Sequence, residues 1–364
     1  MTDHPLGSPL AAGSSSPPCR LYDVALLDLD GVVYVGPDAV PGVPEALGAA
    51  RVAGMRLGFV TNNAARTPEQ VAVHLAELGV PAEAGDVITS SQAAATVVAH
   101  LLEPGARVLA VGGPGVAVAL TAAGLTVVTR AEERPAAVVQ GYGSEVGWVQ
   151  LAEAVVAVRN GARHVATNND ATVPSPRGPL PGNGAMVGVV SAVTGQEPLI
   201  TGKPDPAMHA ECVRRTGALR PLVVGDRLDT DIEGARRAGA ASLLVLSGVT
   251  DPIALLGAGP QQRPGLLAAD AAGLLRTHPP VNSDGPAWRC GEWTVRAAEA
   301  QDVLVLDAGG AHGDDDGLDG LRALCVAHWS RHPDEGAPVG VTAAGPRAVA
   351  ALERWGLTGR PTEG

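Results

Sequence analysis

The chain has 364 residues, of which 46% are hydrophobic and 18% charged, enough length and apolar content for two or three packed domains. Its 26 basic residues against 38 acidic ones give a net charge of −12, and it carries only five Trp, three Tyr and one Phe. That balance repels a phosphate backbone and supplies too few rings for a base-stacking platform, so no nucleic acid is expected as a partner.

The first segment, residues 1–20, is rich in Ser, Pro and Gly with no apolar run of signal-peptide length, and reads as a disordered tail. From Leu21 onward, short apolar runs alternate with amphipathic stretches, the pattern of an α/β fold around a parallel sheet. Strands are predicted over Asp23 to Asp28, Leu57 to Thr61, Val108 to Val111, Ala137 to Gln140, His164 to Thr167, Leu222 to Val224 and Ser242 to Leu246. The stretch from Arg107 to Arg130 has no charge between its ends, but Gly112-Gly113-Pro114-Gly115 breaks it into two strands and a short helix, so no membrane insertion is expected. Asp170 to Gly184, rich in proline and glycine, reads as a long loop, and Gly257 to Gly285 as a linker. A third region opens near Ala287, with an apolar run Val303 to Leu306, an acidic turn Asp314-Asp315-Asp316, and helices near Leu318 to Ser330 and up to Trp355.

Four chemical groupings fall at strand ends or strand-like connections, in this order. Asp28-Leu29-Asp30-Gly31 follows the first strand, and residues two apart leave a strand on the same side, so both carboxylates face one site. One can attack as a nucleophile while the other moves protons. Thr61-Asn62-Asn63 ends the second strand, where Thr61 and the Asn62 backbone suit an oxyanion. Thr201-Gly202-Lys203-Pro204 holds the one lysine among 26 basic residues; a compact ammonium differs from the wide guanidinium fork, so a lysine that persists in an arginine-dominated chain marks a site. Gly225-Asp226-Arg227-Leu228-Asp229-Thr230-Asp231 is an acidic turn after another strand, and hard oxygen donors of this kind suit Mg²⁺. Each alone also reads as a cap or a solvated turn. The four cysteines, Cys19, Cys212, Cys290 and Cys325, are too far apart to form a ligand cluster and read as reduced thiols of a cytoplasmic protein.

Together the four groupings resemble the haloacid dehalogenase superfamily of phosphohydrolases, class IIA, the 4-nitrophenylphosphatase-like branch, over residues of about 21 to 275. The resemblance implies a Rossmann-like parallel-sheet core (21–89 and 197–276), an inserted α/β cap for substrate specificity (90–196) and a small α+β C-terminal region (287–364). That last region resembles an incomplete acetyltransferase fold of the GNAT type, with Trp293-Thr294-Val295-Arg296 as its opening strand, and it lacks the glycine-rich turn that holds a pyrophosphate. By resemblance Asp28 is the nucleophile and Asp30 the acid and base, while Thr61, Asn62, Asn63 and Lys203 bind phosphate. Mg²⁺, with Mn²⁺ or Co²⁺ able to substitute, would be held by Asp28, the Asp30 carbonyl and Asp226, supported by Asp231. Asn168, Asn169, Asp170 and Asn183 are the cap candidates for substrate contact. The implied activity is hydrolysis of a small phosphate monoester, foremost glycerol 3-phosphate in the recycling of glycerophospholipid head groups. Phosphoglycolate, pyridoxal phosphate and nucleotide monophosphates stay open, as does a homo-oligomeric state. A phosphorelay receiver also uses an aspartate, Mg²⁺, a threonine and a lysine, but Asp30 speaks against it, because a carboxylate that activates water shortens the life of an acyl phosphate.

Overall fold

The computed structural model describes residues 9–173, 175, 177–298, 303–309 and 316–358. They fall into two compact units, Met1–Leu57 with Leu219–Gly364, and Gly58–Ala218.

In the first unit four parallel strands lie in the spatial order Leu266–Ala268, Ala241–Val245, Pro221–Gly225, Val24–Leu27. Val24–Leu27 is apolar at every position and buried throughout, as a strand covered on both faces must be. This is a Rossmann-like parallel sheet, and a second, mixed sheet of the same unit belongs to the C-terminal region. There Asn282–Asp284, Ala287–Cys290, Trp293–Ala297 and Val303–Ala308 run antiparallel in sequence, and Gly340–Ala344 adds parallel to the last of them after the helix Asp319–Arg331. That helix is buried from Asp319 to Trp329, on every side, and Gly320 lets it approach closely. A Cβ there would stand 2.9 Å from both Trp293 and Trp355. One hydrophobic cluster joins Leu244, Leu255, Leu256 and Leu267 of the first sheet's surroundings to Trp293, Leu321, Leu324, Trp329 and Leu352 of the C-terminal region. Polar bonds cross the same seam: the Arg263 guanidinium, held locally by Ala258 O, donates to the carbonyls of His332, Pro333 and Glu335, and Trp329 Nε1 donates to Leu256 O at 3.0 Å. Buried Arg322 donates to both carboxylate oxygens of Asp316, to Asp319 and to Leu267 O, all at 2.6–2.7 Å.

In the second unit the end of Arg56–Thr61 pairs parallel with Val87–Thr89, and a separate all-parallel sheet runs Leu199–Ile200, Arg163–Ala166, Ala137–Gln140, Arg107–Val111, Thr126–Val128. Helices Ser90–Leu101 and Pro114–Ala122 cover one face through Ala94, Val98, Val116 and Leu120. Trp148–Arg159 and Asn183–Thr194 cover the other through Leu151, Ala154, Val158 and Val190. The uncharged stretch after Arg107 is the expected strand, helix and strand, and no helix among the described residues is long and apolar enough to cross a membrane.

Several expectations need correction. The tail expected to be disordered is ordered from Pro9 onward: Pro9–Ala12 forms a 3₁₀ turn, Leu10 is 2% exposed within the C-terminal cluster, and Val281 N donates to Ala11 O. Burial of Leu10 outweighs the disorder that the Ser- and Pro-rich composition around it favours. The loop Asp170 to Gly184 contains a short hairpin, Thr172–Val173 with Leu180–Pro181, and the start of a helix. The linker Gly257 to Gly285 supplies the edge strand Leu266–Ala268 and the strand Asn282–Asp284. Trp293–Ala297 is a strand, but the third of its sheet rather than the first. Residues 1–8, Asp314 and Asp315 of the acidic turn and residues 359–364 lie outside the described residues.

Candidate active site

In the first unit the apolar strand Val24–Leu27 ends where Asp28 N donates to Val224 O at 2.9 Å, so pairing with the neighbouring strand continues to the first carboxylate. Leu29 turns inward at 2% exposure, while Asp28 is half-buried and Asp30 exposed. Gly31 then takes φ +80°, donates to Tyr34 O at 2.8 Å, and passes so near Asp226 that a Cβ would stand 2.3 Å from Asp226 Oδ2. A side chain is excluded there twice over, by conformation and by space.

Asp226 follows the strand Pro221–Gly225 at 1% exposure, its Oδ2 accepting from Val249 N at 2.7 Å. Gly248 makes this approach possible, since a Cβ would lie 2.0 Å from the same oxygen. Ser247 Oγ donates to Gly31 O at 2.6 Å and ties the two loops together. Asp231 is 2% exposed on a wide π turn, Leu228–Ile232, and its Oδ2 accepts from Arg227 N at 3.2 Å. A Cβ on Gly225 would stand 2.2 Å from the Asp231 Cβ.

Asp28, Asp226 and Asp231 thus each offer an oxygen, all within 4.8 Å of one another. Two carboxylates about 4 Å apart repel by about 4 kcal/mol at an effective dielectric of about 20, so three of them gathered in a buried place fit a divalent cation. Oxygen donors without sulfur or imidazole are the set that Mg²⁺ takes. Asp231, expected only as support, stands with the other two, whereas the Asp30 side chain is not in the cluster. Ser247 and Gly248 were not singled out in the sequence, although a Ser-Gly pair closing an apolar strand is a readable signal.

In the second unit Thr61, 7% exposed, ends its strand, and its Oγ1 accepts from Asn63 N at 3.0 Å. The hydroxyl hydrogen is then directed away from its own turn. Asn63 is exposed, and its carboxamide oxygen accepts from Ala65 N at 2.9 Å, closing the next turn before the Thr67–Gln70 capping box. Asn62 pairs with the backbone of Lys203: Oδ1 accepts from Lys203 N at 2.9 Å and Nδ2 donates to Lys203 O at 3.2 Å. Gly202 is required beside it, since a Cβ would meet Thr167 O at 2.2 Å. Asn168 is 3% exposed and donates to Asn62 O at 2.6 Å, and Asp170 N returns to Asn168 Oδ1 at 3.1 Å. Asp170 Oδ2 also lies 3.4 Å from Asn62 Nδ2. Asn183 is 2% exposed, and Nδ2 donates to Asn168 O at 2.8 Å and Gln140 O at 3.3 Å. Asn168 and Asn183, expected to touch substrate, are therefore buried and spend their amides on backbone carbonyls. Exposed Asn169 lines a cavity of about 430 Å³ with Gly184, Val187, Ser191, Glu197 and Ile200.

Ser90 was not anticipated either: its Oγ donates to Asn62 O at 2.6 Å, and the run Thr89-Ser90-Ser91 at a helix start was the available signal. Cys212 is fully buried in this unit; burial pushes its thiol up to about 12, against a smaller opposing effect of the Lys203 charge.

The family model of the haloacid dehalogenase-like hydrolases matches residues 25–126, a HAD-hydrolase-like model matches 200–274, and a GCN5-related N-acetyltransferase-like model matches 290–357. The chain is 43% identical over 344 residues to D-glycerol 3-phosphate phosphatase of Mycobacterium tuberculosis, covering 92% of this chain and 94% of that one. It is 39% identical over 233 residues to an acid sugar phosphatase of Staphylococcus aureus, covering 64% of this chain and 89% of that one. Among solved structures, the glycerol phosphate phosphatase of Mycobacterium tuberculosis in complex with magnesium superposes with a TM-score of 0.84 at 42% identity, over 94% of this chain and 99% of that one. A thermostable NPPase double mutant from Geobacillus stearothermophilus gives 0.63 at 34% identity, over 70% and 98% of the two chains.

Proposed function

The chain belongs to the haloacid dehalogenase-like hydrolases, and from that premise we propose that it is a metal-dependent phosphatase whose substrate is glycerol 3-phosphate, released as glycerol and phosphate. The observation that carries the chemistry is the buried gathering of Asp28, Asp226 and Asp231. The substrate is supported by the likeness to a glycerol 3-phosphate phosphatase along nearly the whole chain.

In this reading an Asp28 carboxylate oxygen attacks phosphorus and the bond to the glycerol oxygen breaks. Asp30 gives its proton to the departing alkoxide. Asp30, now a carboxylate, takes a proton from water, whose oxygen attacks phosphorus and frees Asp28 and inorganic phosphate. Asp30 is exposed, as a group that exchanges protons with water must be. Asp28, the Asp30 carbonyl and Asp226, with Asp231 beside them, would hold a Mg²⁺ ion, for which Mn²⁺ or Co²⁺ could substitute, and the ion would supply positive charge to the phosphoryl oxygens. Thr61 through its hydroxyl, Asn62 through its backbone N–H and Lys203 through its ammonium would bind those oxygens. All four cysteines are free and buried, which supports a cytoplasmic setting, and glycerol 3-phosphate as substrate supports a place in the recycling of phospholipid head groups.

The test is phosphate release with Mg²⁺ from glycerol 3-phosphate, phosphoglycolate, pyridoxal phosphate and a nucleotide monophosphate, with Asp28→Asn as the blank. Glycerol 3-phosphate is expected to show the highest kcat/KM, and that activity is expected to vanish in the variant. A preference for another ester discards the substrate and keeps the mechanism; release that persists in Asp28→Asn discards the mechanism.

A further inference from the structure

We propose that Asn62 is a positioning residue whose side chain sets the place of Lys203, and that Asn168 and Ser90 hold Asn62 in turn. The inference rests on the phosphatase reading, since the placement of Lys203 matters only if that lysine meets the phosphoryl group.

The Asn62 carboxamide has one oxygen and two N–H groups, and the protein uses all three. Oδ1 takes the Lys203 N–H at 2.9 Å, while Nδ2 gives one hydrogen to Lys203 O at 3.2 Å and points the other toward Asp170 Oδ2 at 3.4 Å. Two bonds to the N–H and C=O of a single residue fix both the position and the rotation of its backbone. A lysine carries its charge on a flexible four-carbon stem, so its backbone must be well placed if the ammonium is to be. With its side chain so engaged, what Asn62 offers an oxyanion is its main chain.

Asn62 is held with equal care. Its carbonyl accepts from Ser90 Oγ and from Asn168 Nδ2, both at 2.6 Å, which uses both lone pairs. Asn168 is fixed in turn, because Asn183 Nδ2 donates to its carbonyl at 2.8 Å and Asp170 N to its Oδ1 at 3.1 Å. A line of amides therefore runs from Asn183 through Asn168 and Asn62 to Lys203. Three of the chain's seven asparagines stand in it, and a low-dielectric setting strengthens each of its bonds, although Asn183 Oδ1 at its far end is buried without a partner. Gly202 belongs to the clamp as well: a Cβ there would press to 2.8 Å from Asn62 Oδ1. An aspartate at position 62 would keep the acceptor for Lys203 N but lose the donor and set a charge against Lys203 O.

The experiment measures the affinity of the Mg²⁺-loaded full chain for inorganic phosphate by calorimetry, in the wild type, Asn62→Ala, Lys203→Ala and the double variant, with thermal melting of each. Asn62→Ala is expected to weaken phosphate binding about tenfold, a coupling usual within one hydrogen-bond network. In the Lys203→Ala background the same change is expected to have an effect of less than about twofold, since a residue acting through Lys203 has nothing left to place. Should Asn62→Ala fold poorly, Asn168→Ala, which cuts the bond to the Asn62 carbonyl, is expected to show a smaller loss with the same dependence on Lys203. Losses that multiply in the double variant would overturn the inference, because Asn62 would then act on phosphate by itself or through stability alone. Wild-type phosphate affinity in Lys203→Ala would instead overturn the premise about the lysine, and the two failures are told apart by that single variant.

Discussion

Asp28→Asn removes the carboxylate proposed as the nucleophile while keeping its shape, and kcat is expected to fall by at least about 10³-fold, as losses of a covalent catalyst do. Asp231→Asn is expected to weaken Mg²⁺ binding by about 10- to 100-fold, read by titration calorimetry without any substrate. Gly248→Ala is expected to act in the same direction with no change of charge, because the new methyl would overlap Asp226 Oδ2. A titration curve like that of the wild type would show that this loop yields. His164 carries a different prediction: burial pushes its imidazole down to about 4, from an ordinary 6.5. Between those values the unfolded chain holds a proton that the folded one refuses, so stability is full above about pH 6.5 and declines as the pH falls, by about 3 kcal/mol on reaching 4. His209, His278 and His328 are lowered by burial as well, so His164→Gln is expected to flatten only part of this slope in urea melts at neutral and acid pH. The gathering of Asp28 and Asp226 could be read in the sequence because each follows an apolar strand. What Asn62, Asn168 and Asn183 do could not, since the choice between touching a ligand and holding a carbonyl depends on which loops meet, and Asn62 meets Asn168 and Lys203 from more than a hundred residues away.

At the scale of elements, the helix Asp319–Arg331 illustrates what burial demands. Arg322 is 1% exposed, and burial pushes the Asp316 carboxyl up while the Arg322 guanidinium more than reverses this and leaves it below its ordinary value. Arg322→Met is expected to cost about 3–5 kcal/mol, because the acid groups gathered around the guanidinium lose their counter-charge in a dry place. A denaturant midpoint that does not move would mean that water reaches them. The seven strands read from apolar runs all exist, within a residue or two at each end. Leu266–Ala268, Asn282–Asp284 and the hairpin Thr172–Val173 with Leu180–Pro181 were hidden because each is only two or three residues long and lies among prolines and glycines, where pairing with a distant neighbour decides the conformation.

At the scale of the whole molecule, a chain cut after residue 276 would strip part of the cover from Leu10, Leu244, Leu255, Leu256 and Leu267. Burial of each such side chain is worth about 1.5–3 kcal/mol, so the loss rivals the whole stability of an ordinary domain, about 5–15 kcal/mol. The shortened protein is expected to aggregate or to melt far below the full chain, and an unchanged melting curve with unchanged activity would deny the C-terminal region a structural role. The way Leu10 is seated also bears on the order in which the protein can form. The second unit, Gly58–Ala218, is one unbroken stretch of sequence, so its own contacts do not wait for the chain beyond Ala218. The first unit cannot: Leu10 leaves the ribosome early, but the buried residues of the cluster that receives it follow only from Ile232 onward and end near Trp355. At about 5–20 residues per second, the interval between Leu10 and Trp355 lasts on the order of ten seconds or more, during which Leu10 waits for part of its cover. A Ser- and Pro-rich lead around Leu10 suits such a wait, since it discourages the segment from pairing with anything else before the last helix arrives.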